Sequence, residues 1–124
     1  MRRLFQTGKK GNEAEQLAQR YLEQRGLRTL ERNYRCKMGE IDIIMKDQDS
    51  LVFVEVRYRK QNAFGSAAES VTTTKQKKII RAAYHYLQAH HQHNAACRFD
   101  VLAISGAESE RIEWIPNAFQ LELV

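Results

Sequence analysis

The sequence predicts one mixed α/β domain, and two observations lead to that class. The chain has 124 residues, of which 43% are hydrophobic, and this combination is typical of a folded domain with a real core. Apolar residues recur with helical and strand periods in the order α-β-β-β-α-β, followed by a short last strand. This order predicts a mixed β-sheet with helices packed on it.

The N-terminal residues are expected to precede the folded domain. Residues 1–10 are polar and basic, so we expect a flexible arm there and a single domain over residues 11–124. Lys9 and Lys10 close this arm. Two interpretations of them stay open, a tail that contacts phosphate groups and a solvated terminus.

A first helix is predicted from about Asn12, as the N-cap, to Arg25, with Gly26 ending it. Glu15 lies at the edge of the apolar stripe, and on its own it reads as an exposed glutamate favoured by the helix dipole. The apolar stripe consists of Ala14, Leu17, Ala18, Tyr21 and Leu22.

A β-hairpin is predicted at the centre of the chain, after a first strand from Leu27 to Tyr34. Its strands are the apolar runs Gly39–Met45 and Leu51–Arg59, joined by a turn at Gln48 and Asp49. In this register the facing apolar pairs are Met45 with Val52, Ile44 with Phe53, Ile43 with Val54, and Ile41 with Val56. Because strand side chains alternate, the pairs of Met45, Ile43 and Ile41 are expected to share one wholly apolar face.

The same register brings two carboxylates together on the other face, where Asp42 meets Glu55. Acidic residues are rarely buried without a partner, so their place inside apolar strands needs a chemical explanation. Facing carboxylates repel each other unless a proton or a cation lies between them. A hard divalent cation bound by oxygen ligands is the natural candidate.

A second helix is predicted from about Thr74 to Ala89, capped by Thr72 or Thr73. It follows a loop over residues 60–70 that is a candidate for moving over a substrate. The predicted buried stripe of this helix consists of Ile79, Ile80, Ala83, Tyr84 and Leu87.

Two further strands are predicted at residues 97–105 and 111–115, the second stopped by Pro116. Asp100 lies inside the first of them. We expect a hydrogen-bonded structural role for Asp100 rather than a catalytic one.

Basic residues crowd the start of the second helix, where cations oppose the helix dipole. Lys75, Lys77 and Lys78 therefore either contact phosphate at the helix N-terminus or form a solvated basic face. We count them, with Arg59, Lys9 and Lys10, as candidate nucleic-acid contacts. The net charge of +5 and pI of about 9.4 favour an anionic partner, of which nucleic acid is the commonest.

Several other classes of protein are disfavoured by the composition. Cys36 and Cys97 form no CxxC motif and read as reduced thiols of a cytoplasmic protein. No apolar run reaches membrane-spanning length, and the basic N-terminus lacks the apolar core of a signal peptide. The run His90–His93 reads as a solvated helix end rather than a metal site.

The predicted element order resembles the core of the PD-(D/E)xK nuclease superfamily, the restriction-endonuclease-like fold. More closely, the chain resembles the YraN family, an endonuclease-like bacterial group. The matching stretches are Gly39–Ile44, Val52–Arg59, Val71–Thr72 with Thr74–Gln76, Cys97–Val101 and Glu113–Ile115.

This resemblance implies a metal site. Asp42 and Glu55 would hold Mg²⁺ or Mn²⁺, with the carbonyl group of Val56 as a possible third ligand. Glu15 matches the first-helix glutamate of the branch resembling archaeal Holliday-junction resolvases, which adds a functional interpretation to the structural one.

One residue departs from the motif, because Arg57 stands where the superfamily has lysine. Arginine stays protonated and cannot act as a base, although it can clamp a phosphate. Lys75 would supply an ammonium group if the fold brings it near.

Three functions follow from these observations. The first is a metal-dependent nuclease acting on structured or branched DNA, with a homodimer as the expected assembly. The second is a non-catalytic nucleic-acid-binding module with a degenerate site. The third is a protein-interaction domain whose basic charge serves solubility.

Overall fold

The computed structural model describes residues 9–59, 68–105 and 111–120. Its elements are α1 (Lys9–Glu23), β1 (Arg28–Cys36), β2 (Gly39–Asp47), β3 (Ser50–Arg59), a 3₁₀ turn (Ala68–Ser70), α2 (Thr73–Ala89), β4 (Cys97–Ser105) and β5 (Arg111–Phe119). The sheet has the strand order β1-β2-β3-β4-β5. The β3–β4 pair is parallel and the other three pairs are antiparallel. The predicted mixed α/β class is confirmed.

The sheet is covered on both faces. On one face α1 packs Ala18 and Leu22 against a cluster that includes Val52 and Ile104. On the other face α2 packs its buried residues against a cluster that includes Phe53. Because α2 is the crossover between two parallel strands, its first turn is carried back to the sheet face beside β3.

The first helix begins earlier than predicted, at Lys9. Asn12 is therefore inside the helix and not its N-cap, and its Oδ1 accepts a hydrogen bond from Arg32 Nη2 at 3.1 Å. Lysine is a good helix former, so the chain gains helix before Gly11. Residues 1–8 of the predicted arm lie outside the described residues. Gly26 closes the helix as predicted, with a φ of 98° and a hydrogen bond from Leu27 N to Leu22 O of 3.1 Å.

The second helix has the predicted N-cap, since the side chain of Thr72 accepts a hydrogen bond from the amide of Lys75. Its predicted buried stripe is wrong at one position. Tyr84 is 47% exposed, and Tyr86 is buried in its place. The stripe follows Ile79 at steps of three and four residues, which selects Tyr86 and leaves Tyr84 outside. Of the loop before the helix, residues 60–67 lie outside the described part of the chain.

The prediction that Pro116 stops the last strand is wrong, because the strand continues to Phe119. It is an edge strand, and its register shifts opposite the Phe99–Val101 segment, so the missing amide of Pro116 is tolerated. Asp100, 0% exposed, stabilises this irregularity. Its carboxylate accepts hydrogen bonds from the amide of Asn117 and from Trp114 Nε1, both at 2.9 Å. These contacts agree with the structural role expected for Asp100.

The central hairpin has the predicted register from Ile43 to the turn, whereas the predicted pairs of Asp42 with Glu55 and of Ile41 with Val56 are not among the Cα partners of the two strands. Ile43 pairs with Val54, and the pairs continue through Ile44–Phe53 and Met45–Val52 to Asp47–Ser50, which encloses the turn at Gln48 and Asp49.

The predicted apolar face is wrong at Ile41, which packs in the α2-side cluster whereas Ile43 packs on the α1 side. The alternation of side chains in β2 breaks at Asp42. At the same level of the sheet Asn33 of β1, between the partners of Ile43 and Ile41, has a φ of 57°. Ile41 and Ile43, on either side of Asp42, therefore lie on opposite faces of the sheet.

Gly39 sets how closely β2 approaches α2. A Cβ atom at this position would lie 2.9 Å from the carbonyl oxygen of Lys78. We expect Gly39→Ala to lower the free energy of unfolding by about 1–3 kcal/mol, because backbone has to move apart. Urea denaturation measures this. Gly11→Ala is the matched control: a Cβ there meets nothing within 4 Å, so this variant should be neutral or more stable by up to about 1 kcal/mol. Equal stabilities of the two variants would contradict the close contact.

Candidate functional site

The site is built around Asp42 and Glu55, which β2 and β3 bring into contact. Glu55 is 4% exposed and lies on the α2 face of the sheet, where it approaches Lys75 of that helix. One oxygen of Asp42 accepts a hydrogen bond of 2.8 Å from the amide of Val56. The two carboxyl groups lie near enough for each to perturb the pKa of the other. The facing acids predicted from the hairpin register are therefore together in the structure.

Burial makes both acids hard to ionise. Burial, reinforced by the charge of Glu55, raises the pKa of Asp42 to about 7, although the Val56 amide acts in the opposite direction. Burial also raises the pKa of Glu55. The neighbouring Lys75, Asp42 and Arg57 each lower this pKa, but by less than burial raises it. The pair titrates as a unit.

Two cations flank Glu55 from different elements. Arg57 Nη1 lies 3.6 Å from Glu55 Oε2, and Lys75 Nζ lies 3.8 Å from the same oxygen. Arg57 follows along β3, whereas Lys75 comes from the first turn of α2. From the sequence, Lys75 would supply an ammonium group only if the fold brings it near the acids. The structure does bring it near Glu55.

Glu15 approaches the site from the α1 side. Its Oε1 lies 3.2 Å from Arg32 Nη2, and its pKa is raised by burial and by the charge of Asp42. Within residues 9–59, 68–105 and 111–120, no group of three or more His, Cys, Asp or Glu side chains is arranged to hold a metal ion. The structure thus pairs Asp42 with Glu55 and holds Glu15 through Arg32.

A basic cleft of about 510 Å³ lies on the α2 side, and Lys75, which approaches Glu55, lines it, whereas Asp42 and Glu55 themselves do not. Lys75 and Lys78 line it from α2, while Arg35 and Glu40 line it from the β1–β2 hairpin. Arg35 forms an exposed salt bridge of 3.0 Å with Glu40. Sequence reasoning did not select Arg32 or Arg35, because an arginine on an edge strand carries no distinctive pattern.

The remaining candidate contacts are more scattered. Lys77 is exposed on α2, and Arg59 ends β3. Lys9 and Lys10 begin α1, and their contact with nucleic acid stays a prediction. The ring of His90 stacks on Tyr86 with 4.0 Å between centroids, a packing contact at the end of α2. In the described part of the chain, no helix is both long enough and apolar enough to cross a membrane.

Comparison with known proteins assigns the family. The model of the uncharacterised protein family UPF0102 matches residues 14–104. A UPF0102 protein of Nitrosomonas europaea is 54% identical over 112 residues, covering 90% of this chain and 94% of that protein. One from Saccharophagus degradans is 56% identical over 112 residues, with 90% and 92% covered. The chain belongs to the UPF0102 family. The predicted YraN membership is thereby confirmed, because UPF0102 is that family.

A solved structure also resembles the UPF0102 chain, although distantly. It is Pyrococcus furiosus SfsA in complex with Ca²⁺, at 15% identity and a TM-score of 0.36, covering 86% of this chain and 62% of that one. A likeness of this size carries no argument about fold or function.

The raised pKa of Asp42 predicts how stability depends on pH. The folded pKa of about 7 lies above the ordinary value of 3.8, so this group's favourable contribution is complete below pH 3.8 and is lost as the pH rises through 7. Asp42→Asn keeps an acceptor for the Val56 amide and removes the charge. Without metal, we expect this variant to unfold a few degrees above the wild type at pH 8 and at the same temperature at pH 4, by calorimetry.

Asp49→Asn, in the exposed turn at the other end of the hairpin, is the control and should show no pH-dependent gain. A stability of Asp42→Asn that falls below the wild type at pH 8 would contradict the repulsion between the two acids.

Proposed function

We propose that this UPF0102 protein is a metal-dependent nuclease whose site is formed by Asp42 and Glu55. The supporting observation is a pair of carboxyl groups that perturb each other's pKa beside two cations, one of which, Lys75, lines an open basic cleft. Perturbed acids at a cleft are typical of functional sites. A structural ion network alone would not need an open basic cleft beside it. Within this proposal the fold is restriction-endonuclease-like and the protein acts in the cytoplasm.

The donor atoms suit Mg²⁺ or Mn²⁺. Both carboxylates supply oxygen, the ligand these hard cations prefer, and the carbonyl group of Val56 would be a third oxygen donor. A bound cation would offset the repulsion that raises the pKa of Asp42 beside Glu55. When bound, the cation would act as a Lewis acid and lower the pKa of a coordinated water.

The chain's own residues would orient the substrate. Arg57 presents a guanidinium beside Glu55 and would clamp the phosphate on which charge develops. Lys75 and Lys78 line the cleft, and Lys78 would hold the neighbouring backbone of the nucleic acid. Lys77, Arg59, Lys9 and Lys10 would extend this contact. Glu15, held by Arg32, would adjust the charge on Asp42 from the α1 side.

The proposed substrate is DNA, in a structured or branched form, and the proposed assembly is a homodimer. Both follow from the similarity of the predicted core to junction resolvases, so they are analogies of fold and rank below the metal site.

Cleavage assays test the nuclease. The protein is incubated with linear, single-stranded, flapped and four-way-junction DNA in Mg²⁺, Mn²⁺ or EDTA. We expect cleavage that needs metal and that falls by at least about 100-fold in Asp42→Asn and in Glu55→Gln, because each removes a ligand charge. Asp49→Asn is the control and should cleave like the wild type. Cleavage that survives both site substitutions would come from a contaminant and would remove the support for the proposal.

A non-catalytic nucleic-acid-binding module is the second candidate, and Arg57 in the place of the motif lysine favours it. This function predicts binding without cleavage. Its affinity should fall steeply with salt, and Lys77→Gln with Lys78→Gln should reduce the salt slope by about one for each phosphate that the chain no longer neutralises. Fluorescence anisotropy at several salt concentrations measures this. Absence of any binding would favour the third function, a protein-interaction domain.

A further inference from the structure

We propose that Lys75 of α2, and not Arg57 of the motif, is the catalytic cation that orients the attacking water beside Glu55. This inference rests on the proposed nuclease function and names a residue for it. The decisive observation is that Lys75 Nζ reaches to 3.8 Å from Glu55 Oε2 although α2 begins far along the chain from that strand.

The position of Lys75 is fixed by its surroundings. The Thr72 hydroxyl accepts a hydrogen bond of 3.2 Å from the Lys75 amide, and the Thr72 carbonyl accepts one of 2.8 Å from Gln76 N. The Gln76 side chain donates to the Val71 carbonyl at 3.0 Å, which ties the first turn to the segment before it. One turn further on, α2 is in close backbone contact with Gly39. A rigid first turn is the kind of support that a catalytic group needs.

The placement of Lys75 is not explained by helix stability. It lies in the first turn of α2, where the helix dipole favours acids and disfavours cations. The same ammonium group faces Glu55 and lines the basic cleft, so it lies between the acids and the space that a phosphate would enter. Charge balance with Glu55 alone would not require it to line the cleft.

Chemistry separates Lys75 from Arg57. At 3.8 Å the ammonium forms an ion pair with Glu55 without a direct hydrogen bond, so its donors stay available to a water and to a phosphate oxygen. A lysine ammonium is a compact charge with rotatable donors that can hold such a water and a phosphate oxygen together. The planar guanidinium of Arg57 is suited to clamping a phosphate.

The reaction that Lys75 would serve is hydrolysis of a phosphodiester. The oxygen of the water forms a bond to phosphorus, and one bridging P–O bond breaks. The water gives up one proton and the leaving oxygen gains one, so a terminal phosphate and a hydroxyl group result with no oxidant or reductant. Lys75 donates hydrogen bonds throughout and offsets the charge on the phosphate.

Four single variants test the assignment: Lys75→Gln, Lys75→Arg, Arg57→Gln and, as the control in the same cleft, Lys78→Gln. The readouts are the single-turnover cleavage rate at saturating DNA, the Kd for DNA in EDTA, and the Kd for Mn²⁺ by titration calorimetry. We expect Lys75→Gln to lower the cleavage rate by about 100-fold or more and to change the DNA Kd by less than about threefold. Lys78→Gln should instead weaken DNA binding a few-fold, and Asp49→Asn, in the exposed hairpin turn away from the cleft, should leave both the rate and the Kd unchanged.

Lys75→Arg distinguishes catalysis from simple charge balance. If Lys75 only neutralises Glu55, arginine replaces it and the rate stays near the wild type, which would overturn the proposal. We expect a loss within about tenfold of that in Lys75→Gln, because the guanidinium is a different donor. Arg57→Lys combined with Lys75→Gln should restore part of the rate. An Arg57→Gln loss larger than that of Lys75→Gln would assign the role to Arg57 and overturn the proposal.

The Mn²⁺ titration keeps this test separate from the nuclease assay. Removal of a positive charge next to Glu55 should tighten Mn²⁺ binding roughly three- to tenfold in Lys75→Gln, and Lys78→Gln should leave it unchanged. If the wild type cleaves no DNA, the proposed function fails. The place of Lys75 in the metal site is then decided by this titration alone, and an unchanged Mn²⁺ affinity overturns it.

Discussion

The hydrogen bond from the Val56 amide to the Asp42 carboxylate is the contact on which the site depends. The pairing of β2 with β3 ends at Ile43 and Val54, and beyond it the Val56 amide bonds to a side chain. The Asp42 carboxylate is thereby held near Glu55. Because Ile41 and Ile43 then enter opposite cores, the irregularity is stabilised by packing on both sides.

The regular parts of this fold could be predicted because short-range patterns determine them. Apolar residues alternate with a period of two in the central hairpin, and this alternation fixes its register. The Thr72 hydroxyl marks the start of α2, and the backbone freedom of Gly26 marks the end of α1. The errors arose where tertiary contacts override these patterns. A positive φ at Asn33 and a continued strand through Pro116 both depend on partners distant in sequence. No periodicity contains such information.

The candidate site divides in the same way. Asp42 and Glu55 were predictable because acids inside apolar strands are costly and call for a partner. The approach of Lys75 to Glu55 was not, since it depends on the path of the crossover into α2. The salt bridge of Glu15 with Arg32 also joins separate elements, and it changes the interpretation of Glu15 from an exposed, dipole-favoured residue to a half-buried neighbour of Asp42.

The motif arginine acquires a different meaning in this geometry. Considered along β3 alone, Arg57 leaves the site without the ammonium group that the motif lysine would supply. In three dimensions the sheet and the crossover helix deliver two different cations to one oxygen of Glu55, at 3.6 and 3.8 Å. With two cations beside Glu55, the role of the motif lysine can pass from residue 57 of β3 to Lys75 of α2 without loss of positive charge at the site. The identity of one residue in the strand therefore cannot decide whether the site is active, since the unit that carries the chemistry is the acid pair together with the first turn of α2.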